Sequence, residues 1–180
     1  MTAANVGGEP TEVAVGVPTL RFEELYHAQV TTTLAVVLAL RGPGADAEDV
    51  VQEAFARALA QWVEVREMAR PDLWVQRVAL NLATSRLRRR SAEARAVARL
   101  SKRPEVAYDA FGVEQPFWDA VRRLPPKQRR VVALRYAGDL AIADIAVIVG
   151  SAEGTVKAQL HAARQRLAVL LSEPAQEARA

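Results

Sequence analysis

The stretch from Ile142 to Leu171 constrains the fold more than any other part of this chain. A short apolar segment, about Ile142 to Ile148, leads into Val149-Gly150-Ser151. A longer amphipathic run follows, from about Glu153 to Leu171. In that run Val156, Leu160, Ala163, Leu167 and Leu170 recur at steps of four, three, four and three. This is the spacing of one helical face. Gly150 can take the left-handed conformation that ends a helix. Ser151 can then accept a hydrogen bond from an exposed amide at the start of the next one. A short helix, a glycine-containing turn and a longer helix make a helix-turn-helix, with Ile145, Val149, Val156 and Leu160 locking the two helices at a fixed angle. Upstream, Trp118, Val121 and Leu124 share a face. Pro125-Pro126 breaks the chain, and a helix carrying Val131, Val132 and Leu134 ends around Ala137-Gly138. Residues 116–171 therefore read as one compact helical module.

Such a module suits duplex DNA. Away from the apolar stripe of the last helix lie Lys157, His161, Arg164 and Gln165, and a helix of this kind enters the major groove with its N-terminal residues at the base edges. Thr155, Lys157, Ala158 and Gln159 are early enough to reach bases or adjacent phosphates. Glutamine pairs with adenine edges, and threonine or alanine methyls touch thymine. Arg164 comes later and suits phosphate. Lys127, Arg129, Arg130 and Arg135 precede the motif and are phosphate candidates, which fix register rather than choose sequence. His161 is a lone histidine, better read as a surface or phosphate contact than as a metal ligand. Three short helices with a Gly-Ser turn also occur in protein-binding modules; the pattern together with the charge favours DNA.

A second helical module precedes this one. Thr19 can cap a helix with Phe22, Leu25, Tyr26, Val30, Leu34, Val37 and Leu38 on one side, ended by Gly42-Pro43-Gly44. The next helix starts near Asp46. Its stripe runs through Val50, Val51, Ala54, Phe55, Ala58, Leu59 and Trp62. Its acids cluster in the first turns, where they suit the helix dipole, and Asp49, Gln52, Glu53 and Arg57 can face outward. Pro71 opens a third helix carrying Trp74, Val78 and Leu82; the phase of Trp74 with Val78 favours packing over base stacking. The basic residues Arg77, Arg86, Arg88, Arg89, Arg90, Arg95, Arg99, Lys102 and Arg103 face a single acid, Glu93, in the same stretch. The low apolar content of residues 91–115 reads as a linker, long enough to let the two modules sit well apart. The expected fold is all-α: a flexible tail (1–18), a helical domain (19–90), a linker (91–115), a helix-turn-helix domain (116–171) and a C-terminal tail (172–180).

Several function classes drop out. The formal net charge is only +3, so the partner is read from charge distribution rather than from overall basicity. A basic stretch and an acidic one, Asp46 to Glu53, point to a polyanion on one face and a different contact on another. With no cysteine in 180 residues, disulfides and thiolate metal sites are excluded. The first twenty residues do not resemble a signal peptide, and Leu34–Leu40 is too short to cross a bilayer, so no membrane insertion is expected. No set of side chains asks for catalysis. Asp46, Glu48 and Asp49 lack the phosphate loop of a magnesium site; neither metal nor cofactor is expected.

Four motifs in order carry a family resemblance. They are Asp46-Ala-Glu-Asp-Val-Val-Gln-Glu-Ala-Phe55; Trp74-Val-Gln-Arg-Val-Ala-Leu-Asn81 with Arg86 and Arg88-Arg-Arg90; Leu124-Pro-Pro-Lys-Gln-Arg129 with Leu134-Arg-Tyr136; and Asp144-Ile-Ala146, Gly150 and Thr155-Val-Lys157. Over about residues 20–90 and 116–171 the chain resembles a bacterial RNA polymerase sigma factor of the extracytoplasmic-function group. The resemblance implies a cytoplasmic, non-enzymatic protein whose partners are core RNA polymerase and promoter DNA, and which an anti-sigma protein can clamp. It implies that Asp49, Gln52 and Glu53 dock on the polymerase clamp. Asn81 would meet a flipped non-template base of the −10 element, while Arg77, Arg86, Arg88, Arg89 and Arg90 hold its backbone. The second module would bind the −35 element. The chain departs from the pattern at Ser85, where an acid is common, at Ala158-Gln159, where Ser-Arg often stands, and at Ala141, where serine commonly opens the motif. These positions fall where bases or backbone are read. The residues taken alone also leave room for a two-domain regulator that dimerises and binds its own operator, or for an inactive sigma-like interaction protein.

Overall fold

The computed structural model of the protein describes residues 20–42, 46–97 and 115–172. The expectations for both tails, for Thr19 as a cap and for residues 98–114 of the linker lie outside them. All regular structure among the described residues is helical: α1 (Phe22–Arg41), α2 (Asp46–Ala60), α3 (Trp62–Arg66), α4 (Pro71–Val97), α5 (Gln115–Arg123), α6 (Pro126–Tyr136), α7 (Ile142–Val149) and α8 (Glu153–Ser172). α1, α2 and α4 pack into one module. α5 to α8 form the other.

Local chemistry explains most boundaries. At the start of α1 the Glu24 carboxylate accepts from the Arg21 backbone N–H at 3.1 Å, satisfying one of the donors that a helix start leaves open. Three acids fall in the first turn of α2, and Pro71 opens α4. One boundary differs from the sequence reading. The expected stripe ran on to Trp62, but the chain breaks at Gln61, and Trp62 begins the short α3. Trp62 there stacks edge-on against Phe22 at 5.5 Å, in a cluster with Tyr26 and Phe55. α4 also runs on to Val97, into the stretch read as linker.

In the second module Gly150 takes the left-handed conformation (φ 66, ψ 46) and its N–H bonds the Ala146 carbonyl, as the sequence suggests. Val156, Leu160, Ala163 and Leu167 are buried. The expected Ser151 cap is displaced by one residue, because α8 starts at Glu153 and Ala152 stands before it. Ala141 occupies the cap position of α7 in extended geometry without a side-chain hydrogen bond. Serine there should accept from a first-turn amide, so Ala141→Ser is expected to stabilise the fold by about 0.5–2 kcal/mol, read as a higher midpoint in urea denaturation.

The two modules do not sit apart. They share one continuous core, with α1 against α5 and α6, and α4 against α7. The cause lies in α1. Six consecutive residues, Ala35 to Leu40, are all buried. A surface helix hides one stripe; a helix apolar all round needs cover on every side. α2 and α4 cover one side of this run, and the second module covers the other. The approach is tight at Gly138, where a Cβ would lie 2.9 Å from the Val36 side chain of α1, besides 2.7 Å from the Leu134 carbonyl oxygen of its own module. Polar groups complete the contact. Arg70 donates to Asp144 on α7 at 2.9 Å and to Asp72 at 2.8 Å. Arg77 donates to the carbonyls of Val147 and Ile148 at the C-terminal end of α7, where a helix dipole favours a cation.

Candidate nucleic-acid interface

α8 presents its first turns to solvent. Its stripe buries Val156 and Leu160, which leaves Thr155, Lys157, Ala158, His161 and Arg164 exposed and Gln159 half-buried. Among the described residues Lys157 pairs with Glu153, at 3.7 Å on the surface. Such an exposed pair is worth about 0–1 kcal/mol, too little to hold Lys157 back from another anion. His161 lies 3.1 Å from Gln165. Arg164 donates to the Tyr136 hydroxyl at 3.0 Å, so its guanidinium is steered rather than loose. Beside this face, Lys127 and Arg130 of α6 join Thr155, Gln159 and Ser151 around a small cleft. The fold thus brings two of the phosphate candidates to the start of the recognition helix. The other two have local partners: Arg135 donates to the Leu140 carbonyl at 2.9 Å and steadies the turn into α7, and Arg129 donates to the Arg122 carbonyl at 3.2 Å.

The candidates for the −10 element divide by helical phase. At about 100° per residue, Arg77, Asn81 and Arg88 share the face of α4 turned toward the second module, and Arg86 lies on the opposite side. Arg77 is engaged with α7, as described. Asn81 and Arg88 are exposed and line a larger cleft against α6. Arg86 reaches α2 and donates to Glu53 at 2.5 Å. Arg89 is exposed, and the side chain of Arg90 lies outside the described ones. Trp74 packs against the core.

The expected polymerase-docking face is α2. Asp49 and Gln52 are exposed and Glu53 is half-buried. Arg57 donates to Glu53 at 2.6 Å, and this bond is the largest cause holding its carboxyl below the ordinary 4.5; burial opposes it and Arg86 adds to it. A depressed folded value means that the stabilisation is present above the ordinary 4.5 and is lost as pH falls below it through the lower folded value. Replacing Glu53 with glutamine should therefore shrink the stability difference from the parent protein as pH drops from 5 to 3, followed by urea midpoints. An undiminished difference at pH 3 would contradict the assignment. The Arg86 contact is not legible in the sequence. An i,i+4 pair such as Glu53–Arg57 can be suspected from spacing; the long-range partner cannot.

Comparison with known proteins matches these parts. The Sigma-70 region 2 family matches residues 25–93, and the Sigma-70 region 4 family matches residues 114–167. The RNA polymerase sigma-E factor of Streptomyces antibioticus is 32% identical over 149 residues, covering 82% of this chain and 83% of that protein. The ECF RNA polymerase sigma factor SigL of Mycobacterium tuberculosis is 34% identical over 161 residues, 83% of this chain and 88% of that one. Among solved structures, the sigma factor RpoE of Bartonella quintana, in complex with the anti-sigma factor NepR, superposes with a TM-score of 0.72 at 25% identity. The match covers 85% of this chain and 98% of that one. No helix among the described residues is long and apolar enough to cross a membrane. With both modules matched in order and relatives similar over most of their length, the chain belongs to the extracytoplasmic-function group of sigma-70 RNA polymerase sigma factors.

Proposed function

We propose that this sigma factor, which binds core RNA polymerase and directs promoter-specific initiation, works in the cytoplasm as a bipartite reader that must unpack before it can read. It docks on the polymerase through Asp49, Gln52 and Glu53. It holds the −35 duplex with Thr155, Lys157, Ala158, Gln159, His161 and Arg164, braced by Lys127 and Arg130. It captures the opening −10 strand with Asn81, Arg77 and the Arg86–Arg90 run. It has no chemistry of its own; promoter melting draws on binding energy, and the polymerase supplies catalysis.

The single observation that carries the division of labour is the exposed first turn of α8 beside Lys127 and Arg130, the arrangement a recognition helix needs. Unpacking follows from size. Elements centred at −35 and −10 lie about 25 base pairs apart, roughly 80 Å of duplex, and a helix the length of α4, 27 residues, spans about 40 Å. The packed chain cannot hold both. Arg77, moreover, serves α7 in the packed form and cannot serve DNA at the same time. An inhibitory protein of the anti-sigma kind would act by favouring the packed form over the separated one.

Transcription from a promoter pool by the purified protein with core polymerase, followed by sequencing of transcript 5′ ends, tests the function. A shared −35/−10 pair upstream of the starts is the expected result. Tight operator binding without core association or starts would sink it. Unpacking has its own test. The chain has no cysteine, so Leu59→Cys and Leu171→Cys, both exposed, can carry a fluorescence-transfer pair. Arg70→Ala with Arg77→Ala should raise the separated fraction by on the order of tenfold, the effect of a surface ion pair plus charged hydrogen bonds. Core polymerase should drive separation in the parent. Unchanged transfer on adding core polymerase and promoter would refute the mechanism.

A further inference from the structure

The cleft between the modules is chemically unlike the rest of the contact. It encloses about 600 Å³, within the range of small-ligand sites. One wall is α4 with Arg88, and the opposite wall is the start of α6 with Lys127, Arg129 and Arg130. None of the described residues lining it is acidic. Arg88, Lys127 and Arg130 have no ion-pair partner among the described residues. Arg129 is half-buried, and burial first, then the neighbouring Arg122 charge, pulls its guanidinium below the ordinary value. Packing the modules therefore brings Arg88 of α4 opposite the three cations that α6 already carries, at an electrostatic cost that an anion would relieve. The cleft also offers more than charge. Leu40, Ala83 and Pro126 provide apolar surface beside the cations, and the Asn81 amide carries both a donor and an acceptor.

We propose that this cleft binds a free nucleoside polyphosphate, and that the bound nucleotide holds the two modules together. The phosphates lie among Arg88, Lys127, Arg129 and Arg130, where planar guanidinium groups give bidentate contacts. The base lies over the apolar strip with an edge toward Asn81. A duplex does not suit the place, because its backbone is convex and needs an open face like that of α8. The site draws on both modules and exists only while they are packed. By linkage, a ligand that binds only the packed form shifts the population toward it. Nucleotide and promoter would compete, since Asn81, Arg88, Lys127 and Arg130 are the groups proposed to meet DNA once the modules part. The site uses those same residues, but its occupancy does not require the promoter roles to be correct.

The test is calorimetric titration of the full chain with ATP, adenosine, inorganic tripolyphosphate and a four-nucleotide single strand. ATP is expected to bind with a dissociation constant on the order of tens of micromolar. Adenosine and tripolyphosphate should each bind at least about tenfold more weakly. Arg88→Gln, from one module, and Arg130→Gln, from the other, should each weaken ATP binding about tenfold. The charge control Arg66→Gln on α3 should leave it unchanged. ATP should also raise fluorescence transfer in the labelled protein. No binding at 1 mM ATP would overturn the proposal, as would binding indifferent to both cleft variants. Tripolyphosphate binding as tightly as ATP would reduce the cleft to a general anion patch. Binding of the single strand without ATP binding would assign it to nucleic acid, and either result overturns the nucleotide site. None of these failures bears on initiation with core polymerase, which the transcript assay reads separately.

Discussion

Replacing Arg41 with alanine is expected to cost about 3–5 kcal/mol of stability, the range for breaking a buried ion pair from one side. The Arg41 side chain is only 5% exposed. It donates to the Ala83 carbonyl on α4 at 3.0 Å and to Asp46 at the start of α2 at 2.8 Å. One guanidinium therefore joins the end of α1 to two other helices of the first module. Truncation leaves the Asp46 carboxylate on α2 and the Ala83 carbonyl on α4 without it in a partly dry place, and the first loss falls at the start of the helix proposed to dock on polymerase. Urea denaturation should show a lower midpoint with an unchanged slope, and core polymerase association should weaken with it. Arg41→Lys keeps the charge but not the planar fork that reaches both acceptors, so it should recover only part of the loss. A change below about 1 kcal/mol in Arg41→Ala would mean that the geometry overstates the contact.

Arg41 also marks what the sequence did and did not disclose. The stripe Val156, Leu160, Ala163 and Leu167 is legible because one helical period decides which side faces the core. Gly150 is legible because a short apolar helix that must turn sharply needs a residue at ease with positive φ. The Leu34–Leu40 run carries two constraints. It is too short to cross a bilayer, and its all-round apolar surface within the 20-residue α1 also asks for protein on every side, which α2 and α4 supply on one side and the second module on the other. Gly138 reads in the sequence as a helix end; that a Cβ there would also meet the Val36 methyl of another helix does not. The same holds for Arg77, Arg70 and Glu53. Sequence shows that a charge exists and which way its helix face turns; its partner depends on tertiary geometry. The resemblance groups Arg77 and Asn81 as strand-binding residues, and they share a face of α4. That face is turned toward the second module in the packed chain, with Arg77 on α7 carbonyls and Asn81 at the open intermodule cleft.

Asn81 is where the proposed roles can be separated most sharply. Its side chain is exposed, so Asn81→Ala should fold normally, within about 0.5 kcal/mol of the parent. Open-complex formation with core polymerase should nevertheless fall about ten- to hundredfold, the 1–3 kcal/mol that a base-reading contact supplies. Lys157→Ala should do the reverse: weaker binding of the −35 duplex, a salt slope shallower by about one, and opening lost only in proportion to occupancy. A non-template strand with one abasic residue at the captured −10 position separates base capture from general weakening. The parent protein should drop toward the level of the variant on that template, because the base that Asn81 holds is gone. Asn81→Ala should be nearly indifferent to the missing base, since it has already lost the contact. Pre-melting the −10 region removes the unpairing cost but supplies no substitute for the amide, so the gap between parent and variant should persist on a bubble template that carries the base. If both proteins lose equally on the abasic template, Asn81 acts on the strand in general and the base is read elsewhere on α4.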